Sequence, residues 1–339
     1  MLYIIAELQA KIILEGRGLM ANLVPEAQKY VTAFNQLPDF TSMDPIDVRA
    51  ILAQAKNVEM ELASVASVKD RDISVSPDCH IRVRIYTPEG NGPFPIIIYY
   101  HGGGWVLGNL DGADPSCRVV ANKTKSVVVS VDYRLAPDFK FPIPAEDSYA
   151  ALEWVKKNAA NINGNASKII VAGDSAGGNL ATVVAMMSRD RKGPDISAQI
   201  LLYPVTELSY DTESYFEFAE GYALNRNLMI WFGNHYIRNE EDRTNPYVAP
   251  LISGNLNDLP PTFIITAEND VLRDEGIAYA ERLMEAEVKV IYKIENGLVH
   301  GYFSNYAFFK ERIEKTVESI RGFLSTLEQK RKDVSNDHY

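Results

Sequence analysis

Lys168-Ile169-Ile170-Val171-Ala172-Gly173-Asp174-Ser175-Ala176-Gly177-Gly178 is the stretch from which the rest of the chain is read. Its first half is a short apolar run, the composition of a strand buried on both faces. Its second half opens a helical run, Ala176 to Arg191, with Leu180, Val183, Val184 and Met187 at core spacing. Gly-x-Ser-x-Gly at such a strand-to-helix junction is the nucleophile-elbow pattern. The turn is so tight that Cβ atoms at 173 and 177 would collide, and glycine removes them. It lifts the Ser175 hydroxyl off the sheet and sets it at a helix N-terminus, where N–H groups and the dipole favour negative charge. The plainer reading is a glycine-rich connection with an ordinary N-cap serine. The motif alone does not exclude that; the strand before it and the helix after it weigh against it.

Outward from this junction, β and α signals alternate. Ile73 and Val75, then Ile81, Val83 and Ile85, alternate with polar residues and predict an antiparallel pair turning at Ser76-Pro77-Asp78. Pro95 to Tyr100 and Val127 to Val131 are continuous apolar runs, with a helical segment, Asp111 to Lys125, between them. Further along, strands are predicted over Ile196–Tyr203, Thr262–Ala267 and Val288–Ile294, and helices over Glu146–Asn161, Asp274–Glu287 and from about Asn305 onward. This order predicts the α/β class, a mostly parallel sheet flanked by helices. The expected catalytic domain comprises residues 67–205 and 259–330.

Residues 206–258 break the alternation. They hold Tyr210, Tyr215, Phe216, Phe218, Tyr222, Trp231, Phe232 and Tyr236 but no strand pattern, and are too long for a simple loop. They read as a helical insertion above the C-terminal edge of the sheet. With the N-terminal helices of residues 1–66 they would form a cap. The alternative, that these aromatics form the core of a small helical lobe, is compatible with roofing a pocket. A helical pattern runs over Ile46–Val65. Residues 1–19 read as an amphipathic extension with Ile5, Leu8 and Ile12 on one side, and 331–339 as a frayed tail.

The net charge of −11, with no basic stripe, argues against nucleic acid or an anionic membrane surface as partner. No apolar run is long enough for stable membrane insertion. Two cysteines, Cys79 and Cys117, exclude a disulfide framework and suggest a reducing, cytoplasmic setting. No Cys/His spacing suggests a metal. No G-x-G-x-x-G or GK[ST] suggests a nucleotide, and no cofactor is expected.

A serine nucleophile needs a base, an orienting acid and an oxyanion site. Of five histidines, His80 lies in an alternating strand, His101 precedes a glycine run, His235 is in the insertion and His338 is in the tail. His300 follows the last strand in a loop of the kind that gathers at the C-terminal sheet edge, and is the candidate base. The acid is expected before it in the chain. Asp270, just past the strand over Thr262–Ala267, is the first choice, with Glu268 in reserve. Asp274 and Glu275 fit the first turn of the next helix. His101-Gly102-Gly103-Gly104-Trp105 follows the strand ending at Tyr100, and amides of Gly103 and Gly104, with that of Ala176, could converge on one oxygen.

These segments, with Asp132-Tyr133-Arg134-Leu135-Ala136-Pro137, the Phe141-Pro142 to Glu146-Asp147 stretch, Asp270-Val271-Leu272-Arg273-Asp274-Glu275 and His300-Gly301, resemble the hormone-sensitive-lipase-like branch of the α/β-hydrolases. The likeness covers roughly residues 70 to 325 in the family's order. Asp138, Glu287 and Tyr302 depart from it, none at an expected catalytic atom. The resemblance implies the α/β-hydrolase fold with an eight-stranded sheet and a helical cap. It also implies a Ser175–His300–Asp270 triad, oxyanion amides at Gly103, Gly104 and Ala176, and hydrolysis of small-molecule esters of short to medium acyl chain. A homodimer paired along Val288–Ile294 is left open. So are a non-catalytic binder, as in the plant gibberellin receptors that resemble this family but lack the histidine, and an amidase, deacetylase or lactonase using the same residues.

Overall fold

A computed structural model describes residues 22–53 and 60–336. The amphipathic reading of residues 1–19 and the last three residues of the tail lie outside them. In chain order the elements are α1 (Pro25–Phe34), α2 (Pro45–Ala53), β1 (Ser67–Ser76), β2 (Cys79–Thr87), β3 (Phe94–Tyr100), α3 (Leu110–Thr124), β4 (Val127–Asp132), α4 (Ile143–Asn158), β5 (Gly164–Asp174), α5 (Ala176–Asp190) and β6 (Ala198–Leu202). There follow α6 (Glu213–Glu217), α7 (Arg226–Tyr236), β7 (Thr262–Asn269), α8 (Arg273–Glu285), β8 (Val290–Val299) and α9 (Tyr306–Asn336).

The strands form one eight-stranded sheet in the order β1-β2-β4-β3-β5-β6-β7-β8. β2 pairs antiparallel with both β1 and β4, while β4, β3, β5, β6, β7 and β8 run parallel. This is the α/β-hydrolase fold expected above. Side chains on a strand alternate between faces, so consecutive buried residues mean that both faces are covered. Ile96, Ile97 and Ile98 on β3 and Val127, Val128 and Val129 on β4 are all buried. Helices supply the cover: α3 packs against α9, and α4 against α5. β1 sits at the edge and buries only Ile73 fully, which fits its polar alternation.

Two stretches differ from expectation. Of the helical pattern over Ile46–Val65, the described residues to Ala53 form α2, residues 54–59 lie outside the description, and residues 60–65 carry no helix. The chain is already extended before β1 opens, since Ala66 N–H donates to Thr87 O of β2 at 2.9 Å. The expected frayed tail begins as helix, since α9 continues to Asn336. No glycine or proline interrupts residues 323–336, so nothing stops helix propagation there. Residues 206–258 hold α6, α7 and two short 3-10 helices and no strand.

Candidate active site

The parallel strands bring their C-terminal ends to one rim, and four of them end in residues singled out above. β5 leads into Ser175, whose backbone φ of 56° is in the left-handed region. A serine there costs on the order of 1–3 kcal/mol. The neighbouring backbone holds it: Ser175 N–H donates to Leu202 O at 2.9 Å, and Ser175 O accepts from Val205 N–H at 3.2 Å. Close packing explains the glycine at 177, where a Cβ would run into the Tyr100 carbonyl oxygen of β3.

β7 delivers Asp270 and β8 delivers His300. His300 Nε2 lies 2.9 Å from Ser175 Oγ, and its Nδ1 lies 2.7 Å from Asp270 Oδ2. The other carboxylate oxygen, Oδ1, accepts the Leu272 N–H at 2.9 Å. Ser175, Asp270 and His300 are 6%, 1% and 9% exposed, so the three contacts are shielded from water. The Tyr203 ring meets the imidazole edge-to-face with centroids 4.8 Å apart.

β3 ends at the glycine run. Gly103 and Gly104 line the same cavity as Ser175 and His300. Both have positive φ, 117° and 60°. Among the described residues, no acceptor takes the N–H of Gly103, Gly104 or Ala176. The cavity measures about 170 Å³. Its other walls are largely apolar, with Tyr30 and Phe34 from α1 and Leu228 and Phe232 from α7. The Phe232 ring lies against Gly104 where a side chain would otherwise stand. Tyr236, one turn on, stacks on Trp105 at 4.1 Å.

The remaining candidates take other partners. Glu268 accepts the Gly297 N–H at 2.6 Å, bracing the bend in β8 rather than the imidazole. Asp274 and Glu275 lie in the first turn of α8. Asp274 accepts the Ser214 N–H, and Glu275 is buried among other donors. His101 is buried and stacked on Tyr133, and burial pushes its pKa down to about 4. His80 lies on β2 and His235 on α7, while His338 is outside the described residues. Among the described residues no group of three or more His, Cys, Asp or Glu side chains is arranged to hold a metal.

Four contributors were not singled out from the sequence. Asp174, beside the serine, accepts the Tyr99 hydroxyl at 2.7 Å and the Gly102 N–H at 2.9 Å. Burial holds its carboxyl above the usual range. It ties the elbow to the glycine loop, and its signal was a lone charge inside an apolar motif. Tyr203 directly follows β6, and its hydroxyl accepts the Phe303 N–H beyond His300. Tyr30 and Phe34 reach the cavity from the far end of the chain, with no local signal for it.

Comparison with known proteins agrees with this architecture. A family model described as alpha/beta hydrolase fold matches residues 97–304. Carboxylesterase NlhH of Mycobacterium tuberculosis is 42% identical over 268 residues, covering 78% of this chain and 84% of its own length. An arylesterase of Saccharolobus solfataricus is 34% identical over 286 residues, covering 84% of this chain and 93% of its own length. Among solved structures, an ester hydrolase from the metagenome of Lake Arreo, in complex with a bipyridine phosphonate derivative, superposes with a TM-score of 0.83. It is 36% identical and covers 88% of this chain and 98% of its own. From its sheet order, its elbow and these relatives, the chain belongs to the α/β-hydrolase family, in the hormone-sensitive-lipase-like branch of esterases.

Proposed function

We propose that this protein hydrolyses carboxylic esters of short to medium acyl chain through an acyl-enzyme on Ser175. Ser175 Oγ attacks the ester carbonyl carbon while His300 Nε2 takes the hydroxyl proton. Asp270 holds the Nδ1 proton and stabilises the imidazolium that forms. The carbonyl oxygen becomes an oxyanion, which accepts hydrogen bonds from the amides of Gly103, Gly104 and Ala176. Collapse breaks the C–O bond to the alcohol, and His300 returns the proton to that leaving oxygen. Water then adds to the acyl-enzyme by the same steps and releases the acid.

The observation that carries this reading is the pair of contacts across one shielded imidazole, 2.9 Å to Ser175 and 2.7 Å to Asp270. The compact, apolar-walled cavity supports the chain-length preference. We place the cap in α6, α7 and the N-terminal helices, over a catalytic domain of residues 67–205 and 259–330. Support comes from Tyr30, Phe34, Leu228 and Phe232 in the cavity wall. A cytoplasmic location belongs to the same reading, supported by two unpaired cysteines. Among the described residues, no helix is long and apolar enough to cross a membrane. A homodimer would pair along β8, which lies at the sheet edge with Ile294 exposed.

The test is a p-nitrophenyl ester series from acetate to palmitate on the wild type and Ser175→Ala. The expected result is highest kcat/KM among the shorter chains and a fall in kcat of about 10⁴-fold or more in the variant. A phosphonate ester should label the wild type once and leave Ser175→Ala unlabelled. Hydrolysis surviving undiminished in the alanine variant would end this reading.

A further inference from the structure

Arg49, on α2, reaches across to the loops that carry the glycine run. Its Nε–H donates to Val106 O at 2.9 Å, one Nη to Ala136 O at 2.5 Å and the other to the Asp138 carboxylate at 2.9 Å. The two carbonyls belong to different loops, one following β3 and one following β4. These loops also bond to each other, Ala136 N–H donating to Trp105 O at 2.9 Å. Within the first loop, the N–H groups of Val106 and Leu107 both donate to Gly103 O, at 3.1 and 2.7 Å. The Val106 carbonyl that accepts from the guanidinium and the Leu107 N–H that holds Gly103 O therefore belong to one and the same peptide unit.

Gly103 and Gly104 have no side chains to fix them, and glycine backbone is the most costly to order. An external brace is needed if their amides are to stand ready for a developing charge. The Asp138 pair is too exposed to serve: that carboxylate is 52% exposed, and such pairs contribute little. The two carbonyls are the significant partners. A planar guanidinium can span two loops at fixed angles, which an ammonium cannot.

We propose that Arg49 is a positioning residue for ester hydrolysis: it clamps the loops after β3 and β4 so that the Gly103 and Gly104 amides face the oxyanion. The inference rests on the function proposed above. It gives the N-terminal helices a role in the chemical step, beyond walling the cavity.

The experiment compares wild type, Arg49→Met, Arg49→Lys and Arg191→Met, the last a control in which an arginine paired with Glu146 at the surface is lost. Each is measured for kcat and KM on p-nitrophenyl butyrate, for melting temperature, and for Ki of an alkyl trifluoromethyl ketone. Addition of Ser175 Oγ to that ketone would leave an oxyanion in the position the amides serve. Arg49→Met is expected to lose on the order of ten- to a hundredfold in kcat with KM changed by less than about threefold. Its ketone Ki should weaken in parallel with kcat/KM. Arg49→Lys should fall between, and the control should match wild type. A folded Arg49→Met with wild-type kcat and Ki overturns the inference. So does a fall in kcat with the ketone Ki unchanged, which would mean general loosening rather than misplaced amides. If Arg49→Met does not fold, Arg49→Lys decides by the same two criteria below its melting temperature. A ketone that binds wild type and Ser175→Ala equally would instead overturn the underlying esterase reading.

Discussion

Asp270 and Glu268 leave the same strand end, yet only one reaches the imidazole. Pairing of β7 with β8 shifts register from Ala267↔Glu295 to Asn269↔Val299, so Glu268 sits within the shift and Asp270 follows the end of the strand. Glu268 falls beside the bend and takes the Gly297 N–H; Asp270 falls beyond it and faces His300. The roles should separate cleanly in kinetics. Asp270→Asn replaces an anion with an amide that cannot hold the Nδ1 proton or stabilise the imidazolium. We expect kcat to fall by about 10⁴ with KM little changed. Glu268→Gln keeps an acceptor for Gly297, and its kcat should stay within about tenfold of wild type. Equal losses in the two variants would mean that Asp270 has no special place. The sequence supports the choice of Asp270 only through its position after a strand and through the family pattern. His300 was easier, because four other histidines have visible reasons to be elsewhere. Tyr203 and Asp174 escaped notice because their roles depend on what lies across the sheet, at Phe303 and at Gly102.

Helix α5 shows how an element inherits its place from a few packed atoms. Its N-terminus is pressed onto β3 at Gly177, and thirteen of its residues, Ala176 to Ser188, are buried. A helix buried this fully needs partners for every polar atom it carries. Asn179 meets this through its amide nitrogen alone: Nδ2 donates to Val205 O at 3.0 Å and to Val248 O at 2.9 Å, while its buried Oδ1 takes no donor among the described residues. It thus joins the elbow helix to the β6 exit and to the 206–258 segment. Asn179→Leu keeps the volume but leaves two buried carbonyls unpaired. We expect about 2 kcal/mol of lost stability, read as a lower urea midpoint at unchanged m-value. No loss would show that water replaces the side chain. Elements of this kind were legible in advance because burial writes itself into sequence. Two-sided burial makes β3 and the centre of β5, Ile169 to Ala172, continuous apolar runs, and one-sided exposure makes β1 alternate. Residues 60–65 were read as helix, but the chain there runs extended into the β1–β2 pair, with Ala66 N–H already bonded to Thr87 O. In the tail, polarity suggests fraying, while helix formers without a breaker continue α9 as far as Asn336.

At the scale of the molecule, Glu275 joins parts that are far apart in the chain. It is fully buried in the first turn of α8, where its Oε1 accepts the Thr206 N–H at 2.6 Å and the Glu207 N–H at 3.3 Å. Its Oε2 accepts the Tyr215 hydroxyl of α6 at 3.1 Å. One carboxyl thus ties the β6 exit, the helical segment and the strand end that presents Asp270. The sequence shows an acidic first turn of a helix; it does not show that the turn faces inward, because the donors lie 60 to 69 residues away. Burial, with the neighbouring Glu207 carboxylate adding to it, holds the Glu275 carboxyl well above its ordinary value of 4.5. A group whose pKa is raised on folding binds its proton more tightly in the native state. Its contribution is therefore complete below the unfolded pKa and declines as pH rises toward the folded one. Glu275→Gln keeps an acceptor for the two N–H groups and an amide that can meet the Tyr215 oxygen, and it cannot ionise. Melting temperatures of both proteins from about pH 5 to about pH 8 should then diverge, with the wild type losing ground to Glu275→Gln as pH rises. A gap that narrows over that range would mean that the hydrogen bonds to the carboxylate outweigh burial. In that case Glu275 would join the three segments as a fully charged acceptor.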